Sequence, residues 1–351
     1  MLNMKIALIQ SLIGGGGGND MVFNSLLNHL SKTHNITVFT FSKPLTKPNY
    51  KYQTMMPIRI PLLGLYQSLL INIKKIDDFD LVISLSNLFI KTRKPVIFYN
   101  QNIFHGAKTN PDKYNSLFWR LYYKPFKIML NNKLKNFKKN KNIHVINSSE
   151  FSKINMDETL KINSKVIYPP VRLSETKIVP KEPDTVVSLG RFSEEKNFEL
   201  GINTLKLVGY KYRIIGSTNT ISSKAYLKKL QDMANNNITF IINPTRDEII
   251  SELSKAKVFL GLSNETFGIA TVEAISSGCI PIVRDTSGNK ETVPFKELRF
   301  LTDLDMTEKI RNAMEGYYDV YLEKLHDHIQ QFDESNFHKQ IDDTIKEVMT
   351  Q

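Results

Sequence analysis

Ser263-Asn264-Glu265-Thr266-Phe267-Gly268-Ile269-Ala270-Thr271-Val272-Glu273-Ala274 follows the apolar run Val258 to Leu262 and leads through Ser277-Gly278 into a second apolar run, Cys279-Ile280-Pro281-Ile282-Val283. Apolar residues that stop at polar ones and a glycine, restart with helix formers and stop again at glycine predict strand, loop, helix, strand. Two glutamates bracket the expected helix start. On a continuous helix Glu265 and Glu273 would lie about 12 Å apart along the axis. Carboxyls that share a glycosidic bond under hydrolysis need roughly 5 to 9.5 Å. This spacing suits instead a grip on two distant hydroxyl-bearing parts of one extended ligand, with the helix N-terminus between them facing an anion. A sugar, a diphosphate and a ribose in one molecule have that layout.

Working outward, short β-like runs alternate with helical stretches along the whole chain. In the first half these are Lys5–Ile9, Ile36–Phe41, Leu81–Ser84, Val96–Tyr99, Asn142–Asn147 and Lys165–Tyr168, with a helix expected over Asn19 to Lys32. In the second half they are Val186–Leu189, Tyr212–Ile215, Ile238–Ile242, Val258–Leu262 and Ile280–Val283. Each half predicts an open parallel sheet with helical crossovers. Tyr168-Pro169-Pro170-Val171 cannot continue a helix and is stiff and extended, which places the link between domains near residues 168 to 182. The expected division is a first domain over 1–170, a second over 171–316, and C-terminal helices over 317–351 that pack back on the first.

The chain has 351 residues, enough for two cores, and a hydrophobic content of 41%, ordinary for a globular protein. One cysteine, Cys279, excludes an intrachain disulfide framework and favours a reducing compartment. No apolar stretch reaches the roughly 18 to 20 residues that span a bilayer, and the N-terminus lacks the order of a signal peptide. The net charge of +12 is concentrated. Between Lys113 and Ser149 there is no acid, while Arg120, Lys124, Lys127, Lys133, Lys135, Lys138, Lys139 and Lys141 interleave with Leu117, Trp119, Leu121, Tyr122, Tyr123, Phe126 and Ile128. Such a stretch, Lys113–Lys141, reads as a surface for peripheral contact with an anionic membrane or as a core helix with a solvated basic face. No nucleic-acid recognition motif accompanies the charge.

Arg191 and Lys196 follow a strand and Gly190, where a turn would set both cations at a sheet's C-terminal edge, the edge at which open α/β sheets bind ligands. Fixed positive charge there would stabilise a departing diphosphate without a metal. Gly14 to Gly18, after the first strand, suggest close backbone approach to a diphosphate or an acceptor. They form neither a convincing dinucleotide fingerprint nor a phosphate loop, because Asn19-Asp20 stands where the latter needs Lys and a hydroxyl. Asp78-Phe79-Asp80 precedes a strand and reads as a strand-entry cap rather than a metal site, and His326 with His328 reads as a polar helix face.

The glutamate motif, Ser188-Leu189-Gly190-Arg191-Phe192 with Glu195-Lys196-Asn197, the segment Val166 to Val171 and the glycines together resemble the retaining family-four glycosyltransferases, which have the GT-B fold. That fold has two Rossmann-like parallel-sheet domains facing a central cleft and a C-terminal helix crossing back to the first domain. Within the family the wording leans toward the alpha-1,2-mannosyltransferases that extend the lipid-linked oligosaccharide of N-glycosylation. The resemblance implies that Glu265 holds donor-sugar hydroxyls and Glu273 the ribose, while Arg191 and Lys196 stabilise the diphosphate. It further implies that Gly15, Gly16, Gly17, Gly190, Gly216, Phe267, Gly268, Ile269 and Ala270 line the nucleotide sugar. Two departures stand out. Asn19 and Asp20 stand where relatives usually carry a glutamate, and Gln101 occupies the place of a usual histidine, with His105 nearby.

The expectation is therefore a cytoplasmic, metal-independent hexosyltransferase without a cofactor. It would move mannose from GDP-mannose to a lipid-linked glycan while peripherally associated with the cytoplasmic face of a membrane. A UDP-sugar-dependent transferase of polysaccharide synthesis and a noncatalytic scaffold of the same fold are the alternatives.

Overall fold

A computed structural model describes residues 3–14, 17–41, 48–55, 66, 69, 73, 75–86, 89–101, 117–176, 178–286 and 288–350. Among them the chain forms two compact units, one of residues 1–15, 19–167 and 338–351 and the other of 16–18 and 168–337. One division lies between Ile167 and Tyr168, directly before Pro169-Pro170. The return falls at His338, later than the expected residue 317, so Tyr317 to Phe337 belongs with the second unit.

The first unit holds β1 (Lys5–Ile9), α1 (Gly18–Leu30), β2 (Asn35–Thr40), β3 (Lys51–Thr54), β4 (Leu81–Ser84), β5 (Val96–Asn100), α2 (Leu117–Lys139), β6 (Ile143–Asn147), α3 (Glu150–Leu160) and β7 (Lys165–Val166). Its seven strands are parallel in the order β3-β2-β1-β4-β5-β6-β7. β1 and β4 are buried along almost their whole length, which explains their unbroken apolar sequences. β3, Lys-Tyr-Gln-Thr, is an edge strand with no apolar alternation and gave no signal in the sequence. Asp80 caps the strand entry as expected, its Oδ2 accepting the Lys5 N–H at 2.8 Å.

The second unit holds β8 (Glu182–Leu189), α4 (Phe198–Val208), β9 (Lys211–Gly216), α5 (Ile221–Met233), β10 (Ile238–Ile242), α6 (Arg246–Lys255), β11 (Ala256–Gly261), α7 (Ile269–Ser276), β12 (Ile280–Arg284), α8 (Asn289–Thr292), β13 (Arg299–Phe300), α9 (Asp303–Met314) and α10 (Leu322–Ile329). Its six parallel strands run β10-β9-β8-β11-β12-β13. After β8 the chain moves outward to β9 and β10, then returns to lay β11 on the other side of β8. The strand order therefore reverses between β8 and β11, the point at which the loops of an open sheet part and leave room for a ligand.

The last helix, α11 (Glu334–Thr350), continues from the second unit into the first. There His338 Nε2 bonds to Ser25 Oγ at 2.8 Å, and Asp342 meets His29 Nε2 at 3.0 Å. The tail is not one helix, because a 3-10 turn over Gln330–Phe332 separates α10 from α11. Val171, just past the diproline, bridges to Asp333 beside that turn, and Arg172 Nε reaches Glu334 at 3.3 Å.

α2 settles the two readings of the basic stretch in part. Tyr123, Phe126, Leu130, Leu134 and Phe137 form a buried stripe at helical spacing, so aromatic residues counted as interfacial are core, with Trp119 and Tyr122 half-buried against them. The outer face nevertheless carries Leu117, Leu121 and Ile128, 73%, 64% and 57% exposed, among exposed Arg120, Lys124, Lys135 and Lys139. Pro125 sits inside the helix without ending it. Lys113 lies outside the described residues. No helix among the described residues is long and apolar enough to cross a membrane.

Candidate active site

β8 ends at Leu189, and the next residues build the cationic side of the site. Lys196 lies across Gly190: a Cβ there would come within 3.1 Å of Lys196 Cε. Gly216, the last residue of β9, is needed one strand over, since a Cβ on it would meet the Gly190 carbonyl oxygen at 2.3 Å. These two glycines are packing residues that let the β8 and β9 loops close on each other. Asn197 then turns the chain into α4 with φ 52°, a left-handed conformation that Asn tolerates better than most side chains. That turn fixes where the preceding Lys196 side chain starts.

β11 lies beside β8, and its loop supplies the acid. Lys196 Nζ meets Glu265 Oε1 at 2.5 Å, and the Ser263 hydroxyl donates to the same oxygen at 2.5 Å. Burial would raise the Glu265 carboxyl, but Lys196, Ser263 and the nearby Arg191 guanidinium outweigh it and hold it below the ordinary carboxylate range. Arg191 itself is 61% exposed and bonds to Glu195 at 2.8 Å. It is a cation on a short tether, with an exposed partner that contributes little.

The glutamate loop is clamped by the segment after β12. Arg284 Nε donates to Leu262 O at 3.0 Å, Asn289 Nδ2 to Ser263 O at 3.0 Å, the Gly288 N–H to Glu265 O at 2.8 Å and Thr286 Oγ1 to Asn264 Oδ1 at 2.5 Å. The approach at Gly288 is so close that a Cβ would stand 2.1 Å from the Thr266 carbonyl oxygen. Gly268 turns the chain into α7 with φ 102°, a conformation that favours glycine. The first bonds of α7 are made by the Thr271 and Val272 amides, so those of Ile269 and Ala270 are the open donors of the helix start. The Phe267 side chain turns away from this end. It is 2% exposed, and its ring packs on Phe332 at 4.9 Å and Tyr168 at 5.4 Å. Only its backbone is therefore placed to meet a ligand.

Glu273 lies one turn further along α7 and is 4% exposed. Its Oε1 accepts from Arg246 Nη1 at 2.5 Å, and Arg246 Nε donates to Glu175 at 3.0 Å. Burial pushes the Glu273 carboxyl up against the pull of Arg246, with Glu175 adding to the rise.

The four charged residues of the sequence reading are thus carried by the loops and helix at the strand-order reversal. Arg191 and Lys196 both act on Glu265, whereas Glu273 is held separately by Arg246. Of the glycine run, Gly15 and Gly16 lie outside the described residues, as does His105. Gly17 has φ 139°, and Asp20 Oδ1 accepts the Gly14 N–H at 3.3 Å, so Asp20 has a part in shaping the loop. Gln101 is buried directly after β5, beside Asn100, whose amide donates to Asn147 Oδ1 at 2.8 Å. A pocket of about 200 Å³ in the first unit, lined by His144, Lys165, Asn163 and Glu347 among others, contains none of these residues.

Sequence reasoning missed Arg246, Glu175, Ser263 and Asn289. Arg246 and Glu175 lie 27 and 98 residues before Glu273, and no local pattern links them. Ser263 was within the quoted motif and readable as a hydroxyl two residues from the acid.

Two parallel sheets in this order, with cations after β8 and acids after β11, define the GT-B class of fold. Residues 172–332 match the model of the family described as Glycosyl transferases group 1. Over 216 residues, 53% of this chain, the sequence is 26% identical to the GDP-Man:Man(3)GlcNAc(2)-PP-Dol alpha-1,2-mannosyltransferase of Dictyostelium discoideum. It is 27% identical to the Mus musculus protein of the same name over 44% of this chain. The matches span 43% and 35% of those relatives' own lengths. Anabaena Alr3699/HepE, solved in complex with UDP and glucose, superposes with a TM-score of 0.73 over 98% of this chain and all of that one at 16% identity, a likeness of fold.

Proposed function

We propose that this protein transfers a hexose, mannose from GDP-mannose, with retention of configuration onto a lipid-linked or membrane-associated glycan. The observation that carries this reading is the Lys196–Glu265 pair at the strand-order reversal, with Arg191 close enough to act on the same carboxylate. A departing nucleoside diphosphate would replace Glu265 as the partner of the two cations, joined by the open Ile269 and Ala270 amides at the start of α7. Freed from Lys196, Glu265 accepts hydrogen bonds from sugar hydroxyls. Glu273 accepts those of the ribose.

The bond between the anomeric carbon and the diphosphate oxygen breaks as the acceptor hydroxyl attacks, and the acceptor's proton passes to a phosphate oxygen of the leaving group. Charge that develops on that oxygen is met by groups already in place, which lowers the barrier more than it strengthens ground-state binding. No metal or cofactor is assigned a part. The relatives' names support mannose and a lipid-linked acceptor, and the outer face of α2, with its exposed Leu117, Leu121 and Ile128 among cations, supports peripheral membrane contact.

Thermal denaturation in the presence of GDP-mannose, UDP-glucose and ADP-glucose tests the donor, because a ligand that binds only the folded state raises its melting temperature. A shift with GDP-mannose alone is expected. A shift with UDP-glucose alone replaces the donor, and no shift with any of them ends the reading. Glu265→Ala should abolish nucleotide release from donor plus lipid acceptor, and retained release would point to another site.

A further inference from the structure

Glu273 is the most enclosed carboxylate of the site, and the proposed reading asks it to accept hydrogen bonds from hydroxyls. An acid buried among apolar neighbours takes up a proton and then offers a donor where an acceptor is needed. Something must keep it charged. The arginine at the first position of α6 is placed to do so, and its own helix does not explain it. A cation at a helix N-terminus opposes the macrodipole, and the start of α6 is already closed by Thr245 and Glu248, each bonding to the other's backbone. Arg246 instead turns its Nη1 to Glu273 Oε1 at 2.5 Å and its Nε to Glu175 Oε2 at 3.0 Å. Glu175, in the turn after the diproline link, is held in turn by Arg172 Nη1 at 3.0 Å.

We propose that Arg246, oriented by Glu175, is a positioning residue for the donor nucleotide: it keeps Glu273 a carboxylate and aims it at the ribose. The inference rests on the reading of Glu273 as nucleotide-facing. Arg246 and Glu175 are the charged groups that act on Glu273 among the described residues. From α10, which packs on α7, His326 bonds to the Ile275 backbone and feels Lys181 and Asp327 rather than Glu273. Arg246 opposes the upward push of burial on Glu273, while Glu175 adds to that push and acts usefully only through the guanidinium it orients.

Calorimetric titration of the full chain with GDP, from neutral pH into the acid range, tests this. Arg246→Met should weaken GDP binding about tenfold or more at neutral pH and move the acid loss of affinity to higher pH. Arg246→Lys should recover part of both, and Glu175→Gln, which loosens the guanidinium but also removes a like charge from beside Glu273, should weaken GDP binding less than Arg246→Met does. An Arg246→Met protein whose affinity falls with acid at the same pH as the wild type overturns the inference.

A second measurement needs no ligand. Arg246→Met should lower the melting temperature of the wild type by more than it lowers that of Glu273→Gln, whereas equal losses in both backgrounds overturn the inference. A wild type that binds no GDP while this coupling is present sinks the donor reading and the nucleotide-positioning role with it. GDP binding without coupling sinks the positioning role alone.

Discussion

Lys196 is paired with Glu265, and in the proposed reading a nucleoside diphosphate takes that acid's place. In Lys196→Met, Glu265 keeps the burial that raises its carboxyl and loses the largest influence that lowers it. Turnover should fall about 100-fold or more, the scale seen when one stabilising group is removed from a developing oxyanion, measured as nucleotide release at saturating donor. The pair also contributes to stability with a definite sign. The Glu265 carboxyl is lowered in the folded state, so its contribution is present above the ordinary carboxylate range and is lost as the pH falls through the lowered value. The melting-temperature difference between wild type and Lys196→Met should therefore be full at neutral pH, narrow as the pH falls through the carboxylate range where the variant's Glu265 takes up a proton, and close below the lowered wild-type value. Gly288→Ala makes a different point. Its Cβ would meet the Thr266 backbone oxygen at 2.1 Å, so the glutamate loop must shift. A loss of about 1 to 3 kcal/mol in urea denaturation is expected, with reduced turnover although no charge has been touched.

Among the elements, α7 and α2 show opposite fates of a sequence signal. α7 was readable because a strand, a loop with Gly268 and a helix stop at Gly278 follow in immediate order, and local geometry then fixes where its N-terminus lies. The basic aromatic stretch of α2 was readable as a helix but not as to which face meets the core. Helical spacing takes Tyr123, Phe126, Leu130, Leu134 and Phe137 inward and leaves Leu117, Leu121 and Ile128 outside. Replacing exposed Leu121 and Ile128 with Asp should leave the melting temperature nearly unchanged, since neither side chain belongs to the core. Under the proposed peripheral contact, sedimentation with vesicles rich in anionic lipid should show wild-type binding and most of it lost in the double substitution. Binding that survives the double substitution would place the membrane contact elsewhere.

Across the whole chain, the C-terminal helix is the part whose role the sequence placed least well. Its pattern is amphipathic from Tyr317 onward, but a 3-10 turn over Gln330–Phe332 breaks it, and the chain passes from the second unit to the first at His338, inside α11. Ile341, Ile345 and Val348 are buried, and Asp342 and His338 bond to His29 and Ser25 on α1. Ending the chain after Phe337 should raise amide hydrogen exchange throughout Val22 to Leu30 while leaving Val186 to Leu189 and Val258 to Gly261 protected, because the second sheet has its own core.

The sequence by itself determined the alternation of strands and helices, the diproline link, the cation-bearing turn after β8 and the acid-bearing helix after β11. These follow from short-range causes: apolar periodicity, the φ limits of proline, and the freedom of glycine at turns. Only the tertiary structure decided that Lys196 and Glu265 are partners, that Phe267 is core, and that Glu273 is held by Arg246, itself bonded to Glu175. Those relations depend on β11 being laid beside β8 after two strands have gone the other way, and on contacts between residues far apart in the chain. Strand order and side-chain pairing at that range are set by how the whole sheet buries its faces, for which no local pattern stands in.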